Sequence, residues 1–181
     1  MSLHLIHGDI TTFDRADAIV NAGNETLLGC FTPGHTCLDC QIHAKAGPQL
    51  HAECKRIMSD RQARISEAIL TPGYKLPAKW IVHANGPDAN RCGVRMDLLA
   101  DTYRNCLELA RRNGLRSIAF PTISTGLFGY PKHESAKVVI DAVHEWLRER
   151  ASTMDVYFVV YEDQDYWSYT RTLRENYHGM F

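Results

Sequence analysis

The chain has 181 residues, 45% hydrophobic and 23% charged, which suits one α/β domain with an ordinary globular core and leaves little for a second. Its 20 Lys and Arg against 21 Asp and Glu give a formal charge of -1, which excludes the basic footprint that long nucleic acid needs; a small anion held by backbone amides stays open. No apolar stretch approaches the roughly 20 residues of a membrane helix, and Met1–His4 lacks a basic segment followed by an apolar run, so a cytoplasmic location is expected.

Leu3–Ile6 and Ala18–Asn21 are short runs rich in branched residues and predict buried strands. Asp39–Met58 has a helical pattern that Gly47-Pro48 should break or kink. Strands are predicted again at Ala68–Thr71 and Trp80–Ala84. Asp97–Asn113 reads as a helix with Leu98, Leu99, Thr102, Cys106 and Leu109 on one face and Gly114 as its C-terminal cap. After a strand at Ser117–Phe120, Pro131–Arg150 opens with proline and carries an apolar stripe through Ala136, Val139, Ile140, Val143, Trp146 and Leu147. Asp155–Val160 is the last strand, and Gln164–Tyr177 the closing helix. With no repeat or linker, residues 1–181 read as one domain, a three-layer α/β/α sandwich around a mixed, mostly parallel sheet. Ligands of such sheets sit beyond the carboxyl ends of the strands, here the loops after Asn21, Ala84 and Pro121.

Four loops carry chemistry. Ser124-Thr125-Gly126-Leu127-Phe128-Gly129-Tyr130-Pro131 joins a strand to a helix. Two glycines permit close backbone approach, and the helix start adds unpaired N–H groups, so the loop can cradle a diphosphate without a lysine. Phe128 and Tyr130 can flank a sugar or base. An ordinary strand-to-helix turn has the same composition. Gly8-Asp9-Ile10-Thr11 follows the first strand, where a carboxylate and a neighbouring amide can recognise adenine; equally, Asp9 can begin an Asx turn or cap a helix. Asn21-Ala22-Gly23-Asn24 offers two carboxamides for sugar hydroxyls or a water, and is also ordinary turn chemistry.

The fourth is Cys30–His43. Of six cysteines, Cys30, Cys37 and Cys40 cluster with His35, while Cys54, Cys92 and Cys106 are scattered. Thiolate and imidazole suit tetrahedral Zn2+: three ligands leave a position open, as in catalytic sites, and a fourth from Cys40 would close it. Pro33-Gly34 should fold Cys30 back towards His35 and Cys37. Asp39 falls where a helix would begin. His43 is a candidate general base or a helix-start histidine, and His83 and His133 read as structural.

In this order the four loops resemble the macrodomain family over nearly the whole chain, from His7-Gly8-Asp9-Ile10 through Ala18–Asn24 to Pro121–Pro131 and the closing Phe158–Tyr161 strand. The segment Gly29–Asp39, rejoining at Gln41-Ile42-His43, is similar to that of zinc-containing bacterial macrodomains. The resemblance implies that Asp9 and Ile10 bind adenine and that Ser124, Thr125, Gly126, Leu127, Phe128, Gly129 and Tyr130 wrap the diphosphate of ADP-ribose. It implies that Asn21 and Asn24 sit near the distal ribose, beside Zn2+ on Cys30, His35 and Cys37. Asn24, Asp39 and Asn21 would then serve catalysis by orienting ribose and water. The implied activity is removal of mono-ADP-ribose from protein carboxylates, with a lipoylated carrier protein among the implied partners. A reader without turnover, or a hydrolase of O-acetyl-ADP-ribose or ADP-ribose-1''-phosphate, would use the same pocket. Gly23 stands where the family has alanine, and Cys40 where it has asparagine.

Overall fold

The computed structural model describes residues 2–30, 32 and 34–177. Strands β1 (Ser2–His7), β2 (Ala18–Gly23), β3 (Ala68–Pro72), β4 (Trp80–Asn85), β5 (Ser117–Phe120) and β6 (Asp155–Val160) form one sheet in the order β1-β6-β5-β2-β4-β3. Neighbours from β1 to β4 in that order pair in parallel, and the edge strand β3 runs antiparallel to β4. The predicted strands are all present.

Helices α1 (Leu38–Ala46) and α2 (Pro48–Met58) cover one face of the sheet; α4 (Met96–Arg112), α5 (Lys132–Glu149) and α6 (Asp163–Asn176) cover the other, with a short α3 (Ala89–Cys92) in the loop after β4. The alternation along β2 makes the layering visible: Ala18 and Val20 pack with α4 and α5, whereas Ile19 packs with Ile42 and Leu50. The α1/α2 break falls at Gly47, whose φ of +91° suits glycine, with Pro48 opening α2.

Two local expectations are corrected. The buried face of α4 is Leu99, Ala100, Thr102, Tyr103, Cys106, Leu107 and Ala110, with Leu98 and Leu109 at its margin. The helix is rotated because Tyr103 packs in the core against Phe120, with ring centroids 4.8 Å apart. Pro131 caps α5 and does not enter it. Gly114 does reverse the chain after α4, with φ +70°, and lets the Leu115 amide return to the Ala110 carbonyl at 3.0 Å.

Tyr103 also ties the core to the loop after β5. Its hydroxyl donates to the Pro121 carbonyl at 3.0 Å and accepts from the Ile123 amide at 3.2 Å, all buried. Tyr103→Phe leaves that amide and carbonyl buried without partners. We expect a loss of about 1–3 kcal/mol in urea unfolding, with the fold retained.

Candidate functional site

Four contiguous parallel strands, β1, β6, β5 and β2, end on the same side of the sheet, and their carboxyl-terminal loops line a cleft of about 440 Å³. Cys30, the stretch His35–Asp39 and Gln41 close the β2 end. The loop after β4 does not line the cleft; it supports it. A Cβ on Gly86 would come within 2.5 Å of Ile123 Cγ2 and 2.6 Å of Ser124 Oγ, so glycine there lets the β5 loop lie flat.

At the centre, Ser124, Thr125, Gly126, Leu127 and Phe128 line the cleft. Among the described residues, the amides of Ser124 to Phe128 have no protein acceptor, whereas those of Gly129 and Tyr130 bond the carbonyls of Gly126 and Ser124 at 3.0 Å. Ser124 has φ +67°, and its buried hydroxyl lacks a protein partner. A non-glycine residue held in this region, beside a row of free donors, fits an anion cradle. Gly129, with φ +73°, shapes the turn. Tyr130 is a correction: it is 3% exposed and points away, accepting from the Arg95 amide at 2.9 Å, and neither it nor Gly129 lines the cleft.

At the β1 end, Asp9 caps the 3-10 turn Ile10–Thr12. Its Oδ1 accepts from the Thr11 amide (2.8 Å) and hydroxyl (2.6 Å), and Oδ2 lies 3.0 Å from Lys45 Nζ. Burial opposes its charge, but these hydrogen bonds outweigh it and hold the carboxyl below its ordinary value. Asp9 therefore does what the capping reading expected while still facing the cleft, with Ile10 buried beside it.

The β2 end holds the Cys/His cluster. Gly34 has φ +71°, and the His35 amide bonds the Thr32 carbonyl at 3.2 Å, closing a turn; Pro33 lies outside the described residues. Donor atoms of Cys30, His35 and Cys37 lie within 4.8 Å of one another, Cys30 Sγ being 3.3 Å from His35 Nδ1. Contacts with His35 and Thr32 pull the Cys30 thiol down to about 6, and burial pushes that of Cys37 up to about 12. Cys40 does not join this trio. Its Sγ lies 3.6 Å from that of Cys37, and the thiol donates to the His35 carbonyl at 3.2 Å.

Cys37 caps α1, so Asp39 sits in the first turn of that helix, 3% exposed and lining the cleft. Burial raises its carboxyl above the ordinary value, opposed by a 2.7 Å hydrogen bond from Asn21 Nδ2. Asn21 is corrected: it is 0% exposed and lies beneath Asp39, outside the cleft lining. Asn24 does line the cleft, but its Oδ1 accepts from Thr26 and its Nδ2 donates to the Gly29 carbonyl at 2.9 Å, leaving one N–H free. His43 does not line the cleft; its Nε2 is 3.6 Å from Asp39 Oδ1.

Comparison with known proteins agrees with this geometry. The Macro domain family model matches residues 20–139. The Protein-ADP-ribose hydrolase of Staphylococcus aureus is 42% identical over 174 residues, 93% of this chain but 65% of that protein, so the chain spans less than two thirds of that relative. The O-acetyl-ADP-ribose deacetylase of Citrobacter rodentium is 40% identical over 176 residues, 96% of each chain. The Oceanobacillus iheyensis macrodomain solved with ADP superposes with a TM-score of 0.87 at 36% identity, covering 96% of this chain and 90% of that one.

Sequence patterns missed Tyr161, Glu162, Lys132 and Asp165 at the β6 side of the cleft. Applying the strand-end rule to β6 would have found Tyr161 and Glu162. Lys132 donates to Asp165 at 2.8 Å and to Glu162 at 2.9 Å, so the cleft lysine is already neutralised. Burial raises the Asp165 carboxyl even with Lys132 present. Lys132→Met removes its counter-ion, at an expected cost of about 3 kcal/mol at neutral pH. A raised carboxyl is harmless while protonated, so the loss should shrink as pH falls towards the ordinary carboxylate range and reappear as pH rises through the folded-state value. Urea unfolding of both proteins at acid and neutral pH measures this.

Proposed function

The chain belongs to the macro domain family, and on that footing we propose that it hydrolyses esters of ADP-ribose, removing mono-ADP-ribose from protein carboxylates as one macrodomain spanning its 181 residues. The observation that carries the reading is the order of groups along the cleft. Asp9 and Ile10 lie at β1, Tyr161 at β6, the free amides of Ser124–Phe128 at β5, and Asp39 with the Cys/His trio at β2. Three strand spacings span roughly 14 Å, the scale of a nucleoside diphosphate with a second sugar. Adenine, diphosphate and distal ribose would follow one another along the strand ends.

The β2 end would then meet the bond to be broken. Cys30, His35 and Cys37 fit Zn2+ by donor chemistry, two sulfurs and an imidazole nitrogen within 4.8 Å of one another. When bound there, the metal would supply Lewis acidity to a water or ribose oxygen, softened by two thiolates. Asp39 orients the attacking water and takes up its proton, a role that its raised carboxyl suits. The remaining Asn24 N–H holds a distal-ribose hydroxyl. The amide row anchors the diphosphate, so that binding energy from the far end of the ligand positions the ester. The protein carboxylate leaves as a stable anion and needs little help from a general acid.

O-acetyl-ADP-ribose is a second substrate on this reading, because it is also an ester of the distal ribose and because the Citrobacter rodentium relative aligns over nearly its whole length. A reader without turnover would follow if Cys40, whose Sγ lies 3.6 Å from that of Cys37, closed the metal shell as a fourth ligand.

Metal analysis with hydrolysis assays tests the proposal. Cys37→Ala should lose zinc and lower hydrolysis by on the order of a hundredfold or more, while Cys40→Asn should keep both. Zinc-free protein that cleaves glutamate-linked ADP-ribose at full rate would refute the metal's role. Gly126 gives an independent check on the diphosphate. An added Cβ there meets nothing within 4 Å, so the fold does not require glycine. Gly126→Val should keep its melting temperature but bind ADP-ribose at least about tenfold more weakly by calorimetry.

A further inference from the structure

Asp39 owes its position to a buried chain of hydrogen bonds that runs back to the edge of the sheet. Asn21 Nδ2 lies 2.7 Å from Asp39 Oδ1 and 3.2 Å from His83 Nδ1. Thr71 Oγ1 lies 2.9 Å from His83 Nε2 and donates to the Pro72 carbonyl at 3.2 Å. Asn21 and His83 are 0% exposed, Thr71 1% and Asp39 3%. At such burial a mismatch of donors and acceptors is costly.

The polarity of the chain follows from counting hydrogens. Nδ2 of a carboxamide carries two, and here two acceptors face it. Turning the carboxamide over would set its oxygen against the carboxylate. For His83 Nδ1 to accept, the ring proton must sit on Nε2, where Thr71 Oγ1 at 2.9 Å is the nearer partner and Cys54 Sγ lies at 3.9 Å; the threonine accepts because its own hydrogen is directed at Pro72. A proton on Nδ1 would oppose the Asn21 N–H and force the carboxamide over. Burial keeps the imidazole neutral, with its pKa lowered to about 3. The Asn21 Oδ1 has no partner, so Nδ2 alone holds the carboxamide's orientation. Among the described side chains, Asn21 makes the sole hydrogen bond to Asp39, since His43 stands at 3.6 Å.

We propose that His83, fixed as its Nε2–H tautomer by Thr71, is a positioning residue that orients the Asn21 carboxamide towards Asp39 and so aims the Asp39 carboxylate into the cleft. The inference deepens the hydrolase reading and rests on it for the importance of Asp39. It also turns a histidine that the sequence presents as structural into part of the site's machinery, acting through Asn21 without touching substrate. The nearby trio of His43, Cys54 and His83 gains no metal on this view, because both His83 nitrogens are already engaged.

Long-range ¹⁵N–¹H correlation spectra of the whole protein should show His83 as the neutral Nε2–H form. Thr71→Val removes the acceptor for Nε2–H and should populate the other tautomer. It should also lower kcat on O-acetyl-ADP-ribose about 10–100-fold, the usual effect of losing an orienting partner, with the ADP-ribose dissociation constant unchanged. His83→Asn places an amide oxygen where Nδ1 was and should keep kcat within about threefold of the wild type, whereas His83→Leu should fall as far as Thr71→Val. If His83→Leu does not fold, the other two variants carry the test. A wild-type spectrum of the Nδ1–H or charged form overturns the inference, as does equal loss in His83→Asn and Thr71→Val. Should the wild type turn over neither O-acetyl-ADP-ribose nor ADP-ribosylated protein, the hydrolase reading falls by itself. The spectrum, with the Asp39 side-chain position in a crystal of Thr71→Val, still decides the positioning claim.

Discussion

Parallel pairing of β1, β6, β5 and β2 is the constraint on which the site depends. Parallel strands end together, so four loops that are far apart in sequence emerge side by side over one edge of the sheet. Each brings a different chemistry: a capped carboxylate after β1, an aromatic ring after β6, free amides after β5, and sulfur, imidazole and carboxylate donors after β2. Both faces of the central strands β5 and β2 are buried, which fixes their register and with it the spacing of the loops.

The loops themselves are held by contacts from beneath. Tyr103 pins the β5 loop to the α4 layer through Pro121 and Ile123, and Gly86 leaves that loop the room to lie down. Asn24 holds the β2 loop through Gly29 and Thr26. Asp39 rests on Asn21, which rests on His83 and Thr71. The groups facing the cleft are thus held by polar contacts from beneath, and a site so supported is preorganised.

Much of this was legible in the chain. Branched residues between turn formers marked the six strands, and Gly47-Pro48 marked the break between α1 and α2 because glycine and proline act through their own backbone geometry. The clustering of Cys30, His35 and Cys37 was legible too, since side chains so close in sequence meet almost wherever the loop goes. The buried face of α4 was misjudged because Tyr103, polar at its tip, enters the core when a carbonyl and an amide receive its hydroxyl. Tyr130 looked like a ligand-facing ring, yet Arg95 holds it on the far side.

Local sequence determined the six strands, the longer helices and which thiols cluster with His35. These depend on neighbours a few residues away, which the chain displays directly. Tertiary structure decided that Asn21 works from below Asp39, that the Cys40 thiol turns to the His35 carbonyl, that Lys132 is neutralised by Asp165, and that His83 belongs to the site. Each of these turns on a hydrogen bond or ion pair whose partner is chosen by the direction of a side chain after packing. Residues 62 positions apart, such as Asn21 and His83, share no local pattern that could announce the contact; the pairing of β2 with β4 sets them opposite one another.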